Sequence, residues 1–149
     1  EGGAEKGAEA TFPLVVEAGY RVIVLGLSRH IKADSFRGFT RALADSVNQM
    51  LDASGLFQEI DIKSRIIACP VFQVGLADSG RGFIHARIAI MPGRTDQQKA
   101  DLTQAVLHAL RQQLPTLPEL HVQISVELTE LDASSYAKDS VLGGVSIGR

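Results

Sequence analysis

The chain has no tryptophan, and aromatic residues make up 5% of its 149 positions. A stacking platform for nucleic-acid bases is hard to build from so few rings. The charge balance points the same way. The formal net charge is −2 and the sequence pI is about 6.1, without the basic stripe that a nucleic-acid binder carries. A single cysteine, Cys69, excludes an intramolecular disulfide framework. No apolar run approaches the roughly 18 residues needed to span a bilayer. No basic stretch followed by an apolar one opens the sequence. Metal-ligand spacing is also missing: His30, His85, His108 and His121 fall on different expected elements, and no CxxC or HExxH occurs. The expectation is one soluble, cytoplasmic domain that binds neither nucleic acid, membrane nor metal.

What is present is periodicity. Gly82 to Arg94 reads GFIHARIAIMPGR. Ile84, Ala86, Ile88 and Ile90 alternate with Phe83, His85, Arg87, Ala89 and Met91, a period of two and hence a strand. Pro92 and Gly93 then turn the chain and bring Arg94 to the start of a helix. His121 to Thr129 alternates as well, with Val122, Ile124, Val126 and Leu128 inward. Tyr20 to Leu27 is apolar on both sides, as a central strand is. A further strand is expected from near Glu59, with Ile60, Ile62, Ser64 and Ile66 on one face and Asp61, Lys63 and Arg65 on the other. It continues extended through Val71–Val74, with Pro70 as a bend or an end.

Two helices are expected between these strands. In the first, Phe36, Phe39, Leu43, Val47 and Met50 recur at three- and four-residue spacing, with Asp34 or Ser35 as the cap and Gly55 at the close. In the second, Thr95 and Gln98 make a capping box, and Leu102, Ala105, Val106, Ala109 and Leu110 form the buried stripe. The order is β-α-β twice, with an internal repeat of about 60 residues. The fold class is therefore α+β: two β-α-β repeats forming a four-stranded sheet with two helices on one face. Residues 1–19 read as an N-terminal arm or extension, within which FPLVVEA could make an extra strand. Residues 20–138 read as the domain, and 139–149 as a C-terminal tail, flexible or in need of a neighbour. The sheet's other face mixes Lys63, Arg65, His85, Arg87, Gln123 and Glu127, which suits packing against other subunits.

Candidate chemistry is sparse. Cys69 has no nucleophile signature around it and reads as a buried structural thiol. The glycine pair in the tail is not followed by a helix, so it is a poor phosphate loop. His85 points with Arg87 to the mixed face, either as a structural histidine or as a possible site residue. Lys63, Arg65 and Arg94 could together clamp a small dianionic acid, since arginine pairs with carboxylate through two parallel hydrogen bonds. Ordinary solvated charge is the alternative.

Three segments, GLFQEIDIKSR, GFIHARIAIMPGRT and LHVQISVELTELDASSYAK, resemble the 5-carboxymethyl-2-hydroxymuconate isomerases of the tautomerase superfamily. The resemblance runs from about Tyr20 to Lys138. Its most specific pieces are Ile62–Arg65, Phe83–His85 and Gly93–Thr95. It implies a tautomerase-like homotrimer and a cofactor-free 1,3-proton shift on an unsaturated dicarboxylic acid in aromatic catabolism. It also implies an amino-terminal proline as base, with Arg65 and Arg94 as carboxylate ligands and Lys63 where an arginine is common.

A terminal proline is a basic secondary amine, whereas an internal proline is an amide. Pro13 can therefore serve only if processing exposes it by removing the twelve residues before it. If the strand register follows SRHI instead, the proline position falls on Arg21, which cannot replace it; where another group serves as base, Glu17 and Asp61 are the carboxylates of interest. Two alternatives stand beside the isomerase. One is a non-catalytic trimeric pseudo-enzyme. The other is a ferredoxin-like small-molecule-binding domain, which shares the βαββαβ order and differs in strand order, 4-1-3-2.

Overall fold

The structure, a computed structural model, describes residues 20–25, 33–77 and 79–148. The arm, with Pro13, Glu17 and FPLVVEA, lies outside the described residues. In chain order the elements are β1 (Tyr20–Leu25), α1 (Ala33–Ala53), β2 (Lys63–Ala68), β3 (Arg81–Ile90), α2 (Asp96–Gln113), β4 (His121–Glu130), β5 (Ser140–Leu142) and β6 (Val145–Gly148).

The first four strands form one sheet in the order β2-β1-β3-β4. β1 runs parallel to β2, and β3 parallel to β4, while β1 and β3 meet antiparallel at the centre. Each helix thus links two neighbouring parallel strands, as a crossover must. This order overturns the ferredoxin-like alternative, which needs 4-1-3-2. The two repeats are joined by the central pair, in which Ile23 stands opposite Ala86.

Alternation along β3 is complete: Ile84, Ala86, Ile88 and Ile90 are buried and the residues between them are half-buried. They pack with Leu43, Val47 and Leu51 of α1 and Leu102, Val106 and Leu110 of α2 in one core. Burying a side chain of this size contributes about 1.5–3 kcal/mol, so this layer dominates the fold's stability. Both helices cover the same face. On β4 the inward set Val122, Ile124, Val126 and Leu128 packs on that core but stays half-buried, because β4 is an edge of this sheet. The α2 stripe is as expected except that Ala105 is only half-buried. Its capping box is formed: the Gln98 backbone N–H donates to Thr95 Oγ1 at 3.1 Å, and the Thr95 N–H donates to Gln98 Oε1 at 2.9 Å.

Four expectations about local structure need correction. Asp34 and Ser35 lie inside α1 rather than before it. β2 starts at Lys63, not near Glu59, because Glu59–Asp61 closes a 3-10 turn. Its backbone bond from the Ile62 N–H to the Glu59 carbonyl (3.1 Å) turns Ile60 outward to 75% exposure, and Ile62 alone is buried. Val71–Val74 joins no strand. Of the two readings of the tail, the flexible one gives way to a hairpin: β5 and β6 pair antiparallel through Gly143 and Gly144. Both glycines have positive φ, 60° and 86°, which a two-residue hairpin turn of the mirror-image kind requires.

Candidate active site

Lys63 opens β2, and its backbone pairs with Tyr20, so β1 enters the sheet beside it. β3 ends at Ile90 next to this same end of β1, since Arg21 stands opposite Ile88. Gly93, at φ 122°, turns the chain there and places Arg94 just before α2. A cleft of about 260 Å³ opens at this end of the sheet, lined among others by Phe57, Asp61, Lys63, Arg94, Tyr136 and Lys138.

The charged side chains of the cleft are each held by a neighbour. Arg94 donates from Nη2 to the Leu56 carbonyl, and its guanidinium lies 5.3 Å from the centre of the Phe57 ring, within range of a cation–π attraction. Lys138 donates from Nζ to Asp61 Oδ1 at 2.6 Å, with both side chains largely covered. The Lys63 ammonium reaches the Asp61 backbone carbonyl at 3.5 Å. The segment carrying Tyr136 and Lys138 is set by the 3-10 turn Ala133–Ser135, whose cap Asp132 accepts from the Ser134 N–H at 3.0 Å and from the Ser134 hydroxyl at 2.6 Å. These bonds hold the Asp132 carboxyl below the usual carboxylate range.

The site residues expected from sequence divide into two groups. Lys63 and Arg94 meet in the cleft. Arg65 sits one rung further along β2 on the same side as Lys63, half-buried, and is not among the cleft's lining residues. His85 lies on the open face of the sheet. Its Nδ1 is 2.7 Å from Ser125 Oγ and its Nε2 is 3.0 Å from Glu127 Oε1, while Arg87 approaches the same carboxylate at 3.7 Å. These contacts satisfy the ring within a cross-strand network rather than aiming it into the cleft. Cys69 is fully buried against Ile67, Phe72 and Phe83, and burial pushes its thiol pKa up, away from nucleophile behaviour. Among the described residues no cluster of three or more His, Cys, Asp and Glu side chains could hold a metal ion, and no helix is long and apolar enough to cross a membrane.

Phe57, Tyr136 and Lys138 were missed by sequence reasoning. Lys138 and Asp61 are 77 positions apart, and no local pattern links them. The one available signal was the DASSYAK segment, whose Asp-x-Ser start marks a turn that would redirect the chain.

Two parallel β-α-β units joined antiparallel, with a cationic cleft where β1 enters the sheet, define a protein of the tautomerase fold. The sequence profile of 5-carboxymethyl-2-hydroxymuconate isomerase matches residues 24–143, well over half the chain. The chain belongs to the 5-carboxymethyl-2-hydroxymuconate isomerase family. Among solved structures, it is similar to a 5-carboxymethyl-2-hydroxymuconate isomerase from Deinococcus radiodurans R1, with 19% identity over 82% of this chain and 89% of that one, at a TM-score of 0.65. It is also similar to a 5-carboxymethyl-2-hydroxymuconate delta-isomerase, with 21% identity over 82% and 87%, at 0.57. A third similar structure is a fused 4-OT solved as a symmetric trimer, with 15% identity over 85% and 97%, at 0.55. No match is found among the curated proteins.

Proposed function

We propose that the cleft binds an unsaturated dicarboxylic acid in its enol form and catalyses a 1,3-proton shift to the keto isomer. The reaction is that of the family's name, with aromatic breakdown as its setting and no cofactor. The observation that carries this reading is the convergence of Lys63 and Arg94, from different repeats, on one cleft at the start of β1. Two cations of this kind can each take a carboxylate and hold the conjugated carbons between them. Arg65, one rung away, extends the positive field at the rim.

The proton carrier in this reading is the secondary amine of Pro13 once processing has exposed it. An α-amino group titrates at about 7.7–8.0, and burial lowers that further, so it can take up and return a proton near neutrality. Pro13 stands seven positions before Tyr20, a tether of at most about 25 Å anchored at the cleft. In the empty cleft Asp61 is tied to Lys138, and the amine rather than this carboxylate is the base in this reading.

The working unit of this reading is a homotrimer in the cytoplasm. Val141, Leu142, Val145 and Ile147 of the terminal hairpin are 62–69% exposed, and an isolated two-stranded hairpin is marginal in water. A neighbouring copy that covers it removes both costs. The test is a spectrophotometric ketonisation assay with an enol dicarboxylate, run beside sedimentation analysis. Saturable turnover by a trimer is expected. A monomer with neither turnover nor saturable binding would refute the reading, and a trimer that binds without turnover would leave the pseudo-enzyme.

A further inference from the structure

The cleft holds a third cation that the dicarboxylate clamp does not use. Lys138 comes from the far end of the chain, and its ammonium is bound to Asp61 at 2.6 Å. Only 27% and 35% of the two side chains are exposed, so the pair is neither a solvated surface contact nor a sealed one. Both line the same cleft as Lys63 and Arg94. Asp61 also has its backbone carbonyl against the Lys63 ammonium. Asp61 is therefore held by both lysines, its carboxylate by Lys138 and its backbone carbonyl by Lys63, and all three residues line the space where an anion would bind.

We propose that Asp61 and Lys138 form an exchangeable latch that selects for dianionic ligands. With the cleft empty, Asp61 neutralises Lys138. When a second ligand carboxylate reaches this corner, it replaces Asp61 as the partner of the lysine. A monoanion is held by one of the remaining cations and does not break the pair. Lys138 is thereby a specificity-determining residue, and Asp61 is its competitor. A bound anion repels a nearby carboxylate through space whatever Lys138 does, so the distinguishing property is coupling: removal of the Asp61 charge helps a dianion more with Lys138 present than without it. The proposal rests on the cleft being the dicarboxylate site.

The experiment is a double-mutant cycle read by calorimetric titration of the full chain. Its probes are muconate, an unsaturated six-carbon dicarboxylate, and sorbate, the six-carbon monocarboxylate. Lys138→Met is expected to weaken muconate binding about tenfold, and Lys138→Arg to restore most of it. Asp61→Asn is expected to tighten muconate about threefold to tenfold in the wild-type background and by less than about twofold in Lys138→Met. Sorbate should move less than about twofold in all variants. Thermal melting of each variant checks that it is folded, and a purely structural ion pair would give weaker binding in Asp61→Asn instead of tighter.

Muconate binding that Lys138→Met leaves unchanged would overturn the latch alone. Equal tightening by Asp61→Asn with and without Lys138 would also overturn it. Absence of saturable muconate binding to the wild-type chain would instead remove the cleft assignment, and the latch with it.

Discussion

Replacing Arg94 by lysine keeps the charge in the cleft and removes the shape of the guanidinium. In the structure that group is fixed twice, by the Leu56 carbonyl and by the Phe57 ring at 5.3 Å. The ring contact at a half-buried site contributes about 0.5–1 kcal/mol. A hydrogen bond from a charged donor contributes about 1.5–3 kcal/mol, and an ammonium on a shorter, flexible stem recovers part of it. The net loss of stability is therefore about 1–2 kcal/mol, a fall of about 2–8 °C in Tm for a chain of this length. The melting comparison is made at fixed protomer concentration, because association with other copies would shift it.

Binding should suffer separately. Lysine cannot give a carboxylate two parallel hydrogen bonds, so dicarboxylate affinity should drop about tenfold, or roughly 1.4 kcal/mol. Calorimetric titration at constant ionic strength measures this directly. Unchanged affinity with a lowered Tm would show that Arg94 is a fastening for the Leu56–Phe57 loop and not a ligand. No change in either quantity would refute the energetic account of its contacts.

Other perturbations test other parts of the structure. Leu110→Ala removes a fully buried side chain from the centre of the core and should cost about 2–5 kcal/mol in denaturant unfolding without altering the cleft. Asp132 is hydrogen-bonded in the fold and has a depressed pKa, so its contribution is present above its unfolded pKa and is lost as pH falls through its folded one. Asp132→Asn should flatten the acid side of the melting profile, below the ordinary carboxylate range, and should loosen the turn that carries Tyr136 and Lys138. Ile147→Glu places a charge on the exposed apolar hairpin. Sedimentation should show a shift from trimer toward monomer, while circular dichroism of the protomer stays unchanged.

The parts of this fold that were legible in the sequence are those in which one face of one element is buried. β3 and β4 show this in strict alternation, and the α2 capping box in residues three apart. β2 was harder to place because Ile60 mimics the start of an alternating run. The 3-10 turn that exposes it depends on backbone bonds that side-chain periodicity does not report. The hairpin was missed although VLGGVSI carries its signature, two apolar pairs around a Gly-Gly loop. Its apolar residues read as a tail because no core of this chain receives them.

The candidate site was half visible. Lys63 and Arg94 stood out as basic residues bordering strands. Arg65 shares a face with Lys63, yet the register sets it one rung from the cleft. His85 was open between a structural and a site role, and the folded chain ties its ring to Ser125 and Glu127 on the open face. Lys138 could not be found, because its partner is specified only by the folded chain.

The most direct test of the account is the rate of enol dicarboxylate ketonisation by natively expressed protein, with the intact mass read on the same sample. The account predicts a mass beginning at Pro13 and a saturable rate well above buffer that a proline-directed alkylating agent abolishes. A mass that includes Glu1, with a rate equal to buffer, would contradict it.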